Sequence, residues 1–391
     1  MFYAINSKLK KILINQEIFL ASKRKSSNKF FSKIKKIQTV FLVTGRKSYE
    51  NSGSKRLIED ALKNSKIEIF NDFDVNPEIS EIKVGFKIAK KINPDAIIAV
   101  GGGSVIDAAK IIHAMLSNNL DEESVFNVNQ KEMYKSKNII PLIAIPTTAG
   151  TGSEATHFAV LYKAGKKYSI ASSKMLPSIV YLNSELCESN TSYQNACSGF
   201  DALSQAIESY WSKNSTYLSR YYALKSLKIT LNNIEGAVYG PKKNNNYLFN
   251  MLIASNYAGK AINITKTTGP HAISYGITKD FGLPHGHAVA LTLGAFFELH
   301  NKIYRQNTVD LKFYKIIDNY ISKNMGKSTS SFLYDLMKKF NMEYDLSKLG
   351  LSMNNADTLI KNINLERMSN HPVSLSTKHL KEIFNLIPDK N

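Results

Sequence analysis

Three times in its first half the chain runs a continuous apolar stretch straight into a loop of glycines and small hydroxyl residues. Val40 to Thr44 ends in Gly45-Arg46-Lys47-Ser48. Ala96 to Val100 ends in Gly101-Gly102-Gly103-Ser104. Ile139 to Pro146 ends in Thr147-Thr148-Ala149-Gly150-Thr151-Gly152-Ser153-Glu154. A strand that is apolar on both faces has to be covered on both faces, as in a parallel sheet clothed by helices. Helical patterns follow where such a sheet needs them: Leu57, Ile58, Ala61 and Leu62 share one face, residues 79–92 read as a helix, and Val105 to Met115 continue as another. Ile67 to Phe70 reads as a further short strand. Residues 1–37 are basic and weakly patterned; an edge strand and a turn are expected there, with no assigned function.

Open parallel sheets bind ligands beyond the carboxyl ends of their strands. Gly101 to Ser104 opens a helix, where close backbone approach, free N–H groups and the helix dipole stabilise a pyrophosphate. One glycine turn is a weak signal; three strand ends carrying such loops in one domain are a much stronger one. Asp107, one turn after Ser104, reads as a helix or cofactor-site residue.

From about residue 186 the strand-and-loop units stop and long amphipathic helices take over. A chain of 391 residues is too long for one typical core, and two domains are expected, 1–184 and 185–391. The net charge of +19 raises nucleic acid, an anionic membrane or an anionic substrate as partners. The basic residues are spread along the chain, and the longest clusters, Lys23-Arg24-Lys25 and Lys35-Lys36, are short. No nucleic-acid module is visible, so no nucleic-acid partner is expected. No apolar run approaches the roughly 20 residues of a membrane span. Two cysteines, Cys187 and Cys197, form neither a zinc pair nor a disulfide framework. A cytoplasmic protein is expected.

Lys260 to Leu293 carries three of the eight histidines, His271, His285 and His287. Thr268-Gly269-Pro270 looks like a helix start and places His271 in the first turn. Pro284-His285-Gly286 is a break that can turn the His285 ring inward. Asp201 and Gln205 are four apart and share a helix face. A carboxylate with two imidazoles suits Zn²⁺ or Fe²⁺ with open positions, although scattered polar residues are weak support by themselves.

Four segments occurring in order supply more. GGGSVIDAAK at 101–110, PTTAGTGSEAT at 146–156, GFDALSQAIESYW at 199–211 and PHAISYGITKDFGLPHGHA at 270–288 resemble the iron-containing (group III, metal-dependent) alcohol dehydrogenase family, over roughly residues 38–391. The resemblance implies an α/β N-terminal dinucleotide-binding domain followed by an all-helical C-terminal domain, the fold shared with dehydroquinate synthase and glycerol dehydrogenase, with the active site in the cleft between them. It implies that Gly101, Gly102, Gly103 and Ser104 hold the cofactor pyrophosphate and that Thr147, Thr148, Thr151 and Ser153 line ribose and nicotinamide. Asp201, His271 and His285 would hold Fe²⁺ or Zn²⁺, and the fourteen-residue separation of the two histidines agrees with the family pattern.

The chain departs from that pattern in two places. Gln205 stands where most members have a further histidine ligand, and Tyr275 stands one turn after His271 where another histidine is common. The loop at Gly45 and Arg46 lacks the carboxylate that binds the ribose in NAD-preferring members, so NADPH is expected over NADH. The departures, with VTGRKSYE and TKTTGPHAISY, resemble the phosphonoacetaldehyde reductase branch, which forms 2-hydroxyethylphosphonate in phosphonate biosynthesis. Tyr275 and Lys266 are then the candidate catalytic side chains. Gln205, Lys260, Thr267, Thr268 and His287 are candidate substrate contacts, with the helix start at Thr268 offering N–H donors to a phosphonate. The competing expectations are a dehydrogenase of uncharged short alcohols and aldehydes, a dehydroquinate synthase-type lyase, and a nucleotide-binding protein without turnover. A homodimer is expected by family analogy alone.

Overall fold

Val40 to Val43 and Ala96 to Val100 are buried without exception, which is what continuous apolar strands require at the centre of a covered sheet. In the computed structural model, which describes residues 16–118, 120, 124–127, 139–240, 246–306, 311–361, 363 and 365–388, they lie in a six-stranded sheet. Its strands are β1 (Glu17–Leu20), β2 (Thr39–Thr44), β3 (Lys66–Phe70), β4 (Ala96–Gly101), β5 (Leu142–Pro146) and β8 (Ile179–Leu182); β6 (Phe158–Lys163) and β7 (Lys166–Ala171) form a separate pair. The sheet order is β1-β8-β5-β4-β2-β3, with every pairing parallel.

The register brings the loops together. Thr44 pairs with Val100 and Gly101 with Pro146, so β2, β4 and β5 end level and their loops emerge at one edge. Thr147 N–H donates to Gly101 C=O at 3.0 Å, which fastens two of these loops side by side. The helices Ile79–Ile92 and Gly103–Asn118 follow β3 and β4 as expected. β5 starts at Leu142 rather than Ile139, after Pro141, whose missing N–H cannot join a ladder.

The expected edge strand in the basic N-terminal stretch is β1. The helix Arg24–Ile34 after it was not anticipated. Its Phe30 is fully buried and stacks on Tyr181 of β8 at 4.3 Å and 2°. The β6–β7 hairpin was also not anticipated; its two-residue turn places Ala164 and Gly165 at φ 50° and 68°, the left-handed conformation that tight hairpins favour.

The described residues of Met1–Thr148 and Gly152–Ser189 form one compact unit, and those of Ala149–Thr151 and Asn190–Asn391 form a second. The second unit is built on the helix Ser192–Trp211. A capping box of Thr191 and Gln194 starts it, and fifteen of its residues are buried, the signature of a helix enclosed on all sides. Helices Tyr217–Tyr239, Asn246–Thr265 and His285–Arg305 pack around it. The helix Gly269–Phe281 begins with Pro270 in its first turn and ends at Gly282, φ 69°, as the Thr268-Gly269-Pro270 start predicts. No helix among the described residues is long and apolar enough to cross a membrane.

Candidate metal centre

Asp201 lies in the middle of the enclosed helix, His271 in the first turn of Gly269–Phe281, and His285 at the first position of His285–Arg305. Three helices thus each contribute one side chain. Gly286 makes the crossing close enough: a Cβ there would stand 1.9 Å from the Cys197 carbonyl oxygen and 3.3 Å from Asp201 Cβ. On the same stretch of helix, a Cβ on Gly150 would meet the Ser198 backbone at 2.5 Å. One ligand atom from each of Asp201, His271 and His285 lies within 4.8 Å of the other two, and this is the one such group among the described residues. Asp201 and His271 are buried, while His285 is half-buried and leaves the group open on its side.

Hydrogen bonds select the ring nitrogens. Glu208 Oε1 accepts from His271 Nδ1, so Nε2 carries the lone pair. That nitrogen stands 3.3 Å from Asp201 Oδ1, and two acceptors facing each other at that distance need a cation or a proton between them. Ser274 Oγ donates to the His271 carbonyl at 2.9 Å and therefore acts as acceptor toward His285 Nδ1 at 3.5 Å, which leaves His285 Nε2 as its ligating atom. This is how metal-bound histidines are usually held. One turn along, Gln205 Nε2 donates to Asp201 Oδ1 at 3.0 Å and to Thr151 C=O at 3.1 Å, and Gln205 Oε1 is buried without a hydrogen-bond partner. Donor set, tautomers and this orphaned oxygen all fit a divalent cation.

The charges agree. Burial opposes protonation of His271, but Glu208 and Asp201 outweigh it and lift its pKa to about 9. Burial likewise works against the Asp201 carboxylate, and the two histidines and Gln205 more than offset it, so its pKa is lowered. The metal-free site therefore favours an imidazolium against a carboxylate, a positive charge where a cation would sit.

Glu208 is the residue that the sequence did not single out. It is fully buried and accepts from Thr268 N–H at 2.7 Å, Thr268 Oγ1 at 2.9 Å and His271. A carboxylate this deep is tolerated only with its acceptor sites filled. Its spacing was the available signal, since Asp201, Gln205 and Glu208 fall at i, i+4 and i+7 on one face.

Several expected substrate contacts are tied up elsewhere. The helix start at Thr268 does not offer its donors to a ligand, because Glu208 takes Thr268 N–H and O–H, and Gly269 N–H donates to His371 Nδ1 at 3.3 Å. Thr268 Oγ1 also accepts from Trp211 Nε1 at 2.9 Å. His287 has both ring nitrogens occupied, Nε2 donating to the Glu343 carbonyl at 2.6 Å and Nδ1 accepting from Tyr193 at 2.7 Å. Lys260 lies 5.5 Å over the Tyr257 ring. Lys266 follows the helix Asn246–Thr265 at φ 61°, a left-handed position that a lysine occupies at some cost. Tyr275 does stand at the group: its ring stacks on His285 at 5.7 Å and 17°.

In the first unit, Gly45, Gly101, Gly102, Gly103, Ser104, Thr147 and Thr148 lie at the common strand edge, with Thr148 3.4 Å from where a Gly102 Cβ would stand. Ser104 Oγ accepts from Asn76 N–H at 3.3 Å. Asp107, expected as a helix or cofactor-site residue, and Ser153, expected at the cofactor, are bonded to each other. Asp107 accepts from Ser153 Oγ at 2.5 Å and from Val160 N–H at 2.9 Å. The fully buried Lys110 donates to Ser153 C=O at 2.6 Å, Thr156 Oγ1 at 2.8 Å and Phe158 C=O at 2.9 Å. Together they clamp the 153–160 stretch onto the helix after β4. At the Arg46 loop, which contains no carboxylate, Asp72 and Asp74, beyond the end of β3, reach the guanidinium at 2.9 and 3.2 Å as solvent-exposed ion pairs, which are individually weak.

Comparison with known proteins points one way. Residues 17–184 match the model of the iron-containing alcohol dehydrogenases, and residues 195–387 the C-terminal model of the same family. Aldehyde-alcohol dehydrogenase 2 of Entamoeba histolytica is 30% identical over 281 residues, 68% of this chain and 32% of that protein, so the chain spans about a third of that longer relative. Choline dehydrogenase of Bacillus subtilis is 27% identical over 90% of this chain and 89% of its own length. The solved structure of sulfoacetaldehyde reductase from Bifidobacterium kashiwanohense in complex with NAD⁺ superposes with a TM-score of 0.82 at 27% identity, covering 96% of this chain and 98% of the other.

Proposed function

Because the chain belongs to the iron-containing alcohol dehydrogenase family of oxidoreductases, we propose that it reduces a small anionic aldehyde, phosphonoacetaldehyde to 2-hydroxyethylphosphonate being the favoured case. The observation that carries the reading is the Asp201, His271 and His285 group, with both imidazoles held in the ligating tautomer. Likeness to a sulfoacetaldehyde reductase along nearly the whole of both chains supports an aldehyde that bears an oxyanion. The phosphonate is favoured because the Gln205 and Tyr275 departures resemble the phosphonoacetaldehyde reductase branch.

When bound, the divalent metal supplies Lewis acidity toward a carbonyl, and a reduced nicotinamide supplies the hydride. The chain's own residues do the rest. Glu208 and Ser274 orient the two imidazoles, and Asp201 contributes the negative charge. Tyr275 is the proton donor to the developing alkoxide. Burial raises its pKa, and Arg367 offsets this only in part, so the phenol stays protonated at neutral pH. The glycine loops of β2, β4 and β5 receive the dinucleotide, with the Asp107, Ser153 and Lys110 clamp holding the last of them in shape.

The test is oxidation of NADPH and of NADH by protein loaded with Fe²⁺ or Zn²⁺, with phosphonoacetaldehyde, sulfoacetaldehyde, propanal and betaine aldehyde in parallel. We expect a preference of at least about tenfold in kcat/KM for an anionic aldehyde, abolished by His285→Ala. Preference for propanal retains a dehydrogenase and removes the anionic substrate. No oxidation with any of them, despite bound metal and nucleotide, removes the reductase reading.

A further inference from the structure

A small anionic aldehyde needs a positive group close to where its carbonyl is held, and two of the groups first expected to supply it, the helix start and Lys260, have other partners. The helix start at Thr268 and Gly269 is capped by Glu208 and His371, and Lys260 lies over Tyr257. A different cation stands at the site. Arg367 is 4% exposed and belongs to the short helix Leu365–Ser369, which packs against Gly269–Phe281. The residues after it are bonded to the corner that precedes His271. Asn370 Nδ2 donates to Thr265 C=O at 2.7 Å and Thr267 C=O at 3.0 Å, and His371 Nδ1 accepts from Gly269 N–H. The Arg367 guanidinium interacts with the Tyr275 hydroxyl, which Thr267 also reaches, and the Tyr275 ring lies on His285. Metal ligand, phenol and guanidinium therefore follow one another in contact.

Resting on the reductase reading above, we infer that Arg367 holds the anionic end of the substrate and sets the preference for a phosphonate- or sulfonate-bearing aldehyde. A guanidinium presents its N–H donors in a planar fork that matches two oxygens of a tetrahedral oxyanion, and it stays charged at any working pH. When buried, that charge is screened poorly by water. In a two-carbon aldehyde a single methylene separates the carbonyl from the anionic group. The carbonyl oxygen then lies beside His285 and Tyr275 while the oxyanion meets Arg367. A neutral aldehyde forgoes the second contact, and a cationic one is repelled.

The test compares Arg367→Met and Arg367→Lys with the unaltered protein, all loaded with Fe²⁺, with metal content and Tm measured for each. The ratio of kcat/KM for phosphonoacetaldehyde to that for propanal should fall at least about 30-fold in the Met variant, mainly through KM, and recover in part in the Lys variant. A second readout needs no turnover: calorimetric binding of ethylphosphonate, expected for the unaltered protein and lost in the Met variant. An unchanged ratio together with unchanged ethylphosphonate binding overturns the assignment. If the unaltered protein reduces no anionic aldehyde, the reductase reading fails by itself, and ethylphosphonate still decides on Arg367: loss of binding in the variants supports it, and survival of binding, or its absence from the unaltered protein, overturns it. Should the Met variant fail to fold, the Lys variant decides in the same way, by a weakened or an unchanged affinity.

Discussion

At the scale of single residues, the chemistry of the site depends on a carboxylate that binds nothing directly. Glu208 fixes His271 in the tautomer that presents Nε2 and also caps the helix from which His271 projects. Partners of this kind typically contribute 10- to 100-fold in metal affinity or activity. Glu208→Gln keeps the shape but gives up the charge and one acceptor. We therefore expect metal affinity, measured by competition with a chelator, to fall roughly 10- to 100-fold while the fold persists; an unchanged affinity would remove the orienting role. Asp201, His271 and His285 came from the resemblance of their motifs to a known family, and Tyr275 from its departure from that pattern; their spacing alone was weak support. Glu208 was not singled out, because a glutamate on a helix is ordinarily a solvated residue, and nothing local reveals that this face is enclosed. Thr268 and His287 are the converse case: they were expected as substrate contacts, and their polar atoms have partners 60 and 56 positions away in the chain.

At the scale of elements, the site exists because two helices approach within backbone contact. The crossing of Ser192–Trp211 with His285–Arg305 leaves no room for a side chain at 286. Gly286→Ala should force them apart, and overpacking of this sort costs about 1–3 kcal/mol. The larger effect should fall on the metal, since a shift of even half an ångström separates His285 from Asp201. Chemical denaturation and metal content after dialysis check the two effects separately, and full metal retention in a stable variant would show that the crossing tolerates a Cβ. The glycine loops offer the contrasting case. Their common position follows from the parallel register of β2, β4 and β5, which the apolar runs already implied. The staple beneath them, from Lys110 and Asp107 to the 153–160 stretch, was not implied, because it joins residues more than 40 positions apart.

At the scale of the whole molecule, buried neutral histidines make the fold sensitive to acid. Burial brings His113 down to about 4 and His300 to about 3 from an ordinary 6.5, and it lowers His371, which pairs with His300 at 2.8 Å, well below that value. The folded-state pKa values lie below the unfolded ones, so between pH 6.5 and about 4 the unfolded chain binds more protons. Stability is fully present above pH 6.5 and is lost as pH falls through that window. His113 alone accounts for up to about 3 kcal/mol. Urea unfolding at pH 7 and pH 4.5 should show the loss, and His113→Gln should flatten part of the slope; equal stability at both pH values would show that these rings charge without cost.

The sequence by itself determined the kinds of structure: apolar runs of strand length, glycine and hydroxyl loops at their ends, and helices without strands after residue 186. Periodicity and residue type are local properties, and local patterns are enough to state them; the three candidate ligands came from the resemblance of four motifs, in order, to a known family. The tertiary structure decided which polar groups are free to act. It paired Arg46 with Asp72 and Asp74, closed the helix start at Thr268 with Glu208, occupied both nitrogens of His287, and set the buried Arg367 against Tyr275. A hydrogen bond or a buried charge is a relation between distant parts of the chain, and no stretch of sequence carries it alone.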